Sequence, residues 1–217
     1  MVNNAPTFPP QTDYKLPGWE LLWVQLEITG DVDGLDPARE AQTGRIKQIM
    51  RGLQQAEHPT MQSVRSLFRN AGCDPTRHRP SSEALARRLL RGDDIPAILP
   101  AVDINNIWST DLLVPCCVIN PQKISGSLLL RKGQSGEFME SMRGPFNLEG
   151  KPVLVDEKGP FGTPITDAER VKVTKPTGTY WIVAYLPKSV VRTEFARGKL
   201  DDLVGRLSNV RVSYPDG

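Results

Sequence analysis

The chain has 217 residues, 39% of them hydrophobic and 24% charged, with a formal net charge of +2. These proportions fit one globular unit that buries about 70% of its unfolded surface, so a core needs neither a disulfide framework nor a structural metal. The near-balanced charge excludes a uniformly basic coat, and apolar runs of about six residues fall far short of the ~20 that a membrane helix requires. Three cysteines, Cys73, Cys116 and Cys117, form an odd set without C-x-x-C spacing and read as free thiols of a reducing compartment. The opening MVNNAPTFPPQTD is polar and proline-rich, with no signal-peptide pattern, so the expected location is cytoplasmic.

Taken in order, residues 1–17 predict an irregular lead, because Pro6, Pro9, Pro10 and Pro17 block regular structure. Trp19–Thr29 alternates as a half-buried strand, and Gly30–Gly34 makes a turn. Asp36 and Pro37 suit the N-cap and first position of a helix reaching about Ala56, with Ile46, Ile49, Met50 and Leu53 as its buried stripe. Residues 1–59 then form a lead, strand and helix packed on a main domain of residues 60–217. That domain opens with a helix over Thr60–Asn70, whose Met61, Val64, Leu67 and Phe68 point inward and which Gly72 ends. Ser82 caps a third helix with Ala84, Leu85, Leu89 and Leu90 inward. Its Arg87, Arg88 and Arg91 suit the negative end of the helix dipole, and Gly92 stops it. A short helix over Val102–Asp111 follows.

From Val114 onward the pattern turns to strands: Val114–Ile119, Ser127–Arg131, Glu137–Ser141, Val153–Asp156, Arg170–Val173 and, most clearly, Tyr180–Leu186. A last helix spans Ser189–Leu207, with Val190, Val191, Phe195, Leu200, Leu203, Val204 and Leu207 on one side, before a closing strand at Val210–Tyr214. Helices followed by strands argue for an α+β fold rather than a doubly wound sheet. The expected architecture is a layered β/β/α domain with mainly antiparallel strands and helices packed on one side.

Several chemistries are absent from the motifs. His58 and His78, the only histidines, lack ligand spacing, and Cys116 and Cys117 have no further ligands, so no metal is expected. No phosphate-cradling G-x-x-x-x-G-K-[ST], no G-x-G-x-x-G and no G-x-S-x-G occurs, so no cofactor is expected and ATP-driven aminoacylation is excluded on this chain. Between Arg65 and Arg91, seven arginines face only Asp74 and Glu83. They read either as a footprint for phosphates or as a solvated face with structural ion pairs.

The strings SSEALARRLLRGDDIP and ILPAVDINN resemble the B3/B4 domain of the phenylalanyl-tRNA synthetase β chain, and more closely the stand-alone proteins built from it. The likeness covers about residues 60–190 and is strongest at Ser82–Arg88 and Val102–Asn106. In the synthetase this domain removes wrongly attached tyrosine from tRNA. The resemblance therefore implies tRNA as a partner, contacted by Arg79, Arg87, Arg88 and Arg91, with neither DNA nor membrane involved. Alignment places Asn105 on the family's pocket threonine, Asn106 on its asparagine and Cys117 on its histidine. Glu169 falls on the glutamate that accepts the tyrosine hydroxyl. Asn106 and Cys117 are thus the implied catalytic residues, and Asn105 and Glu169 the implied substrate-binding ones.

This sequence departs from the pattern in two places. The histidine has become Cys117, and the double glycine before the glutamate has become Asp167-Ala168. Without a histidine partner a thiol is a poor general base, and Cys117 reads equally as a small buried apolar residue. Glu169 reads equally as a surface partner of Arg170 or Lys172, and Asn106 as a brace for its helix. Three functions stand side by side: a trans-editing deacylase of mischarged tRNA, a non-catalytic RNA- or amino-acid-binding module that keeps the pocket, and a thiol-dependent hydrolase using Cys116 or Cys117. Oligomeric state is not legible.

Overall fold

The computed structural model describes residues 7–50 and 58–215. Its elements begin with β1 (Thr12–Tyr14), β2 (Trp19–Ile28), α1 (Leu35–Ile49), α2 (Pro59–Ala71), α3 (Ser81–Leu90) and α4 (Pro100–Leu112). There follow β3 (Cys116–Ile119), β4 (Leu128–Lys132), β5 (Phe138–Ser141), β6 (Gly144–Asn147), β7 (Pro152–Asp156) and β8 (Gly159–Gly162). The chain closes with β9 (Gly178–Pro187), α5 (Thr193–Val204) and β10 (Val210–Ser213).

Two four-stranded sheets, ordered β1-β4-β7-β8 and β10-β2-β9-β3, account for most strands, and β5-β6 form a separate hairpin. All pairings between named strands are antiparallel except β1 with β4. In the second sheet β2 and β9 pair along their whole length, with Val24 opposite Ile182 and Leu21 opposite Tyr185. One face of this sheet meets helices: Thr193 at the start of α5 donates to Glu20 (2.9 Å), and Cys116 lies beside Ser109 of α4. The opposite face meets the first sheet, where Gly162 of β8 abuts the Tyr185 hydroxyl. The order is therefore sheet, sheet, helices, as the α+β reading anticipated.

Being the middle layer explains why β2 and β9 are buried on both faces rather than half-buried. Helix α4 is the centre of the outer layer. The Trp108 indole donates to the Ala196 carbonyl at 3.0 Å, tying α4 to α5, while Arg39 and Arg45 of α1 pair with Asp103 and Asp111. One helix breaks the one-sided expectation. Phe68 of α2 lies against Trp19, whose ring meets Tyr185 edge-on, on the face toward the first sheet.

Local departures from the sequence reading have local causes. Helix α1 starts at Leu35 because Gly34, at φ 90, turns the chain where a Cβ would lie 2.6 Å from the Arg206 carbonyl. The continuation to Ala56, with Leu53, lies outside the described residues. Ser82 is not the cap of α3; Pro80 holds that position, and the Ser81 amide donates to the Pro164 carbonyl at 3.0 Å. The buried face of α3 is Ser82, Glu83, Ala86 and Leu89 rather than the Ala84/Leu85 face, because Glu83 is drawn inward by arginines. Helix α5 begins later than expected, leaving Val190 outside it and exposed; within it Phe195 is exposed, while Ala196, Leu200, Leu203 and Val204 are buried. Arg170–Val173 is no strand: Glu169–Val171 is a 3₁₀ turn. β1 within the proline-rich lead, β6 and β8 are additional strands.

Trp108 is fully buried and its N–H is satisfied. Trp108→Ala is expected to cost ~3–5 kcal/mol in urea unfolding, and Trp108→Phe distinctly less.

Candidate functional site

The alternation of β3 decides the geography of the site. Cys116 pairs with Ala184 and Cys117 with Val183, so the two adjacent thiols point to opposite faces of the middle sheet. Cys116 is turned to α4, where its sulfur lies 3.6 Å from the Val114 carbonyl, the acceptor of the Ser109 hydroxyl. Cys117 is turned to the first sheet. Its thiol donates to the Thr163 carbonyl at 3.4 Å and lies 4.0 Å from the Tyr185 hydroxyl.

Asp167 completes this second group. Thr163 organises a tight turn: its hydroxyl donates to the Thr166 carbonyl (2.7 Å) and accepts from the amides of Ile165 and Thr166. Pairing of Gly162 with Asp167 then returns the chain to β8. Gly162 leaves room there, since a Cβ on it would sit 3.3 Å from the Tyr185 hydroxyl and 3.5 Å from Asp167 Oδ1. Asp167 Oδ1 is sealed from solvent without a hydrogen-bond partner, although the residue keeps some exposed surface. Burial pushes its carboxyl up to about 7, with neighbouring Cys117 opposing. Burial also drives the Cys117 thiol and the Tyr185 phenol well above their ordinary values, and Asp167 adds to both. At neutral pH Cys117 is a protonated thiol.

The paired asparagines lie on α4. Asn105 is buried, its Nδ2 is 3.4 Å from Asn106 Oδ1, and its own Oδ1 is a buried acceptor without a donor. Asn106 is half-buried. The structure thus brings Asn105 and Asn106 together but turns Cys117 to the sheet face opposite the one that carries α4. Glu169 is exposed at the start of its 3₁₀ turn. Arg170, one of its two expected partners, is instead bound to Asp156 through bonds of 2.7 and 3.2 Å. The carboxyl that enters the interior is Asp167, two residues earlier. Its sequence signal was the replacement of a glycine pair by Asp167-Ala168 directly after a threonine-rich turn.

The arginines mostly have structural work. Glu83 is 1% exposed and receives three guanidinium groups. Arg65 donates to both carboxylate oxygens (3.0 and 2.9 Å), Arg87 donates from Nε at 3.0 Å, and Arg79 Nε lies 3.5 Å away. Arg88 pairs with Asp93, both partly exposed, and Arg91 is exposed at the end of α3. Two shallow clefts, of about 180 Å³ around Asn120, Thr177 and Tyr180 and about 340 Å³ around Tyr14, Trp19 and Lys188, include none of the predicted site residues. No cluster of three metal-ligating side chains occurs among the described residues. No described helix is long and apolar enough to cross a membrane.

Comparison with known families gives a match to the B3/4 domain over residues 63–205. No curated protein matches the chain.

Two outcomes follow from the buried group. The Asp167 carboxyl has a higher value in the fold than its ordinary 3.8, so its stabilising contribution is complete below about pH 4 and is lost as pH rises through about 7. Asp167→Asn should therefore raise Tm at about pH 8 and leave it nearly unchanged at about pH 3.5. The three cysteines are all buried; a thiol-reactive dye should label none of them rapidly in the native protein and all of them in guanidinium.

Proposed function

Because the chain belongs to the B3/4 domain family, we propose that it binds the aminoacylated end of a tRNA. The observation that carries this reading is the reach of the family match. Residues 63–205 run from α2 through α5, taking in the arginine-rich α3, the asparagine pair of α4 and the strands that hold Cys117 and Asp167. Chemistry at Asn105 and Asn106 agrees with it: carboxamides offer both donors and acceptors to an ester carbonyl and an α-amino group, and Asn105 Oδ1 is an acceptor without a donor.

One observation favours a second reading, hydrolysis of the ester. At the position where the family resemblance puts a histidine, this chain has Cys117, and beside it a carboxyl that titrates at about 7. On the resemblance, cysteine and aspartate stand where the family pattern has histidine and glycine, and the carboxyl supplies a group near neutrality. In this reading the ester lies between the two sheets rather than at the asparagine pair on the other face of the middle sheet; ionised Asp167 accepts a proton from water, and the resulting hydroxide attacks the ester carbonyl. Collapse of the adduct, with the proton held by Asp167 passed to the leaving ribose oxygen, releases the amino acid and the free ribose hydroxyl of the tRNA and restores the ionised carboxylate. Glu169, being exposed, supplies no desolvated acceptor for a phenol, so we assign it no part in choosing tyrosine. The thiol-dependent reading loses its support, since burial raises both Cys116 and Cys117.

Filter retention of aminoacyl-tRNA at low salt, set beside a deacylation screen of mischarged tRNAs, tests both readings. Binding without release of amino acid supports the first alone; neither binding nor release refutes both. Should release occur, Asp167→Asn is expected to lower its rate by ~100-fold or more with binding retained. The rate of the unaltered protein should climb with pH through about 7 and then level. Loss of release in Asn106→Ala with normal activity in Asp167→Asn would remove Asp167 from the chemistry.

A further inference from the structure

A second basic group lies away from α3, where the end of α2 meets the first sheet. Gly72, at φ 95, closes α2, and a Cβ on Gly150 would sit 3.0 Å from the Gly72 carbonyl. That approach of two glycine backbones brings the loop 73–80 onto the turn joining β6 to β7. It also brings Lys132 inward: its Nζ lies 2.8 Å from where a Cβ on Gly72 would be. On the other side of the contact stands Lys151, whose amide-chain neighbour Gly133 donates to its carbonyl at 2.8 Å.

Lys151 is 3% exposed. Among the described residues its ammonium has one acceptor, the Glu149 carbonyl at 3.3 Å, and lies 5.6 Å from the Phe146 ring centroid. No carboxylate forms an ion pair with it among the described residues. An ammonium removed from water without a counter-charge is costly, and an anion held beside it offsets that cost. The groups acting on it are the Cys73 thiol, Glu149 and Arg77, and it in turn acts on His78. Glu149 is exposed, and Asp74, the remaining carboxylate of the loop, accepts from the Thr76 amide at 2.8 Å. Arg77 and Lys132 are exposed and form no ion pair among the described residues. Arg65 joins the same loop through Thr76 at 3.2 Å, so the patch runs on into the Glu83 group, where three guanidiniums share one carboxylate.

We propose that Lys151, Lys132, Arg77 and His78 form a phosphate site that holds the backbone of the bound RNA. The proposal rests on the tRNA reading above and adds to it the surface that grips the nucleic acid. It moves the grip from Arg87 and Arg88, which are engaged by Glu83 and Asp93, to Lys151, Lys132 and Arg77, which form no ion pair with a carboxylate among the described residues, with His78 beside them as a neutral donor. Exposed Lys132 and Arg77 meet the phosphate oxygens, and Lys151 adds its charge from beneath them. Two exposed cations above a buried one suit a polyanion better than a single small ion.

The test titrates tRNA against the full chain over a range of salt, comparing the unaltered protein with Arg77→Ala/Lys132→Ala and with Arg88→Ala/Arg91→Ala. The first pair should weaken binding by about tenfold or more and reduce the salt slope by ~2, each lost phosphate contact removing about one. The second pair should change both less. Equal effects of the two pairs, or none from the first, overturn the site while leaving tRNA binding intact. In a second arm, inorganic phosphate replaces chloride at constant ionic strength and Tm is read for the unaltered protein and for Lys151→Met. A Lys151-dependent rise in Tm in a protein that retains no tRNA assigns the site to free phosphate and overturns the RNA proposal together with the reading it rests on. No rise and no tRNA retention refutes site and reading alike.

Discussion

Everything in this fold depends on a sheet that has no outside. The ladder between β2 and β9 runs through the middle of three layers, so on both of its faces residues are interior except toward the end that holds Glu27 and Thr179. A solvated sheet tolerates polar residues on alternate positions; here each polar atom must find a partner within the protein. That requirement sends the Cys116 thiol toward α4 and the Cys117 thiol toward Thr163. It also makes Tyr185 and Asp167 part of the interior that separates the sheets, with the chemical consequence that the carboxyl titrates near neutrality.

The sequence was most legible where burial follows a single regular period. Helix α2 has the predicted centre, with Met61, Val64 and Phe68 buried and Gly72 in the left-handed conformation at its end. Legibility failed where charge overrode periodicity. In α3, a glutamate ranks as a surface residue on any hydropathy pattern, yet Glu83 is interior because Arg65 approaches from α2 and Arg79 and Arg87 from its own end of the chain. The arginine-rich stretch signalled that carboxylate environment, but not which way the helix would turn. In the middle sheet, alternation of Trp23, Gln25 and Glu27 suggested one wet face; the first sheet, whose short strands have weak patterns, covers most of it.

The candidate site was legible as separate residues rather than as a constellation. Family resemblance led to Asn105, Asn106 and Cys117, and the first two do touch. Strand parity separates the third from them, and parity depends on the strand register, which spacing along the chain does not set. Asp167 was visible only as a departure from a glycine pair. Its meaning emerges when the Thr163 turn carries it into the space that Gly162 leaves open next to Tyr185.

The pairing of β2 with β9 also bears on how the chain acquires its shape. During synthesis β2, a ten-residue run of mostly apolar side chains, precedes both strands that flank it, β9 and β10, with four helices and six strands between β2 and β9. Helices α1 to α4 can form in the meantime, but the surface they would rest on is incomplete until β9 has left the ribosome. Such late, distant pairing slows folding and leaves an unpaired edge open to wrong partners. Until β9 is made, the future centre of the fold lacks the strand that completes it.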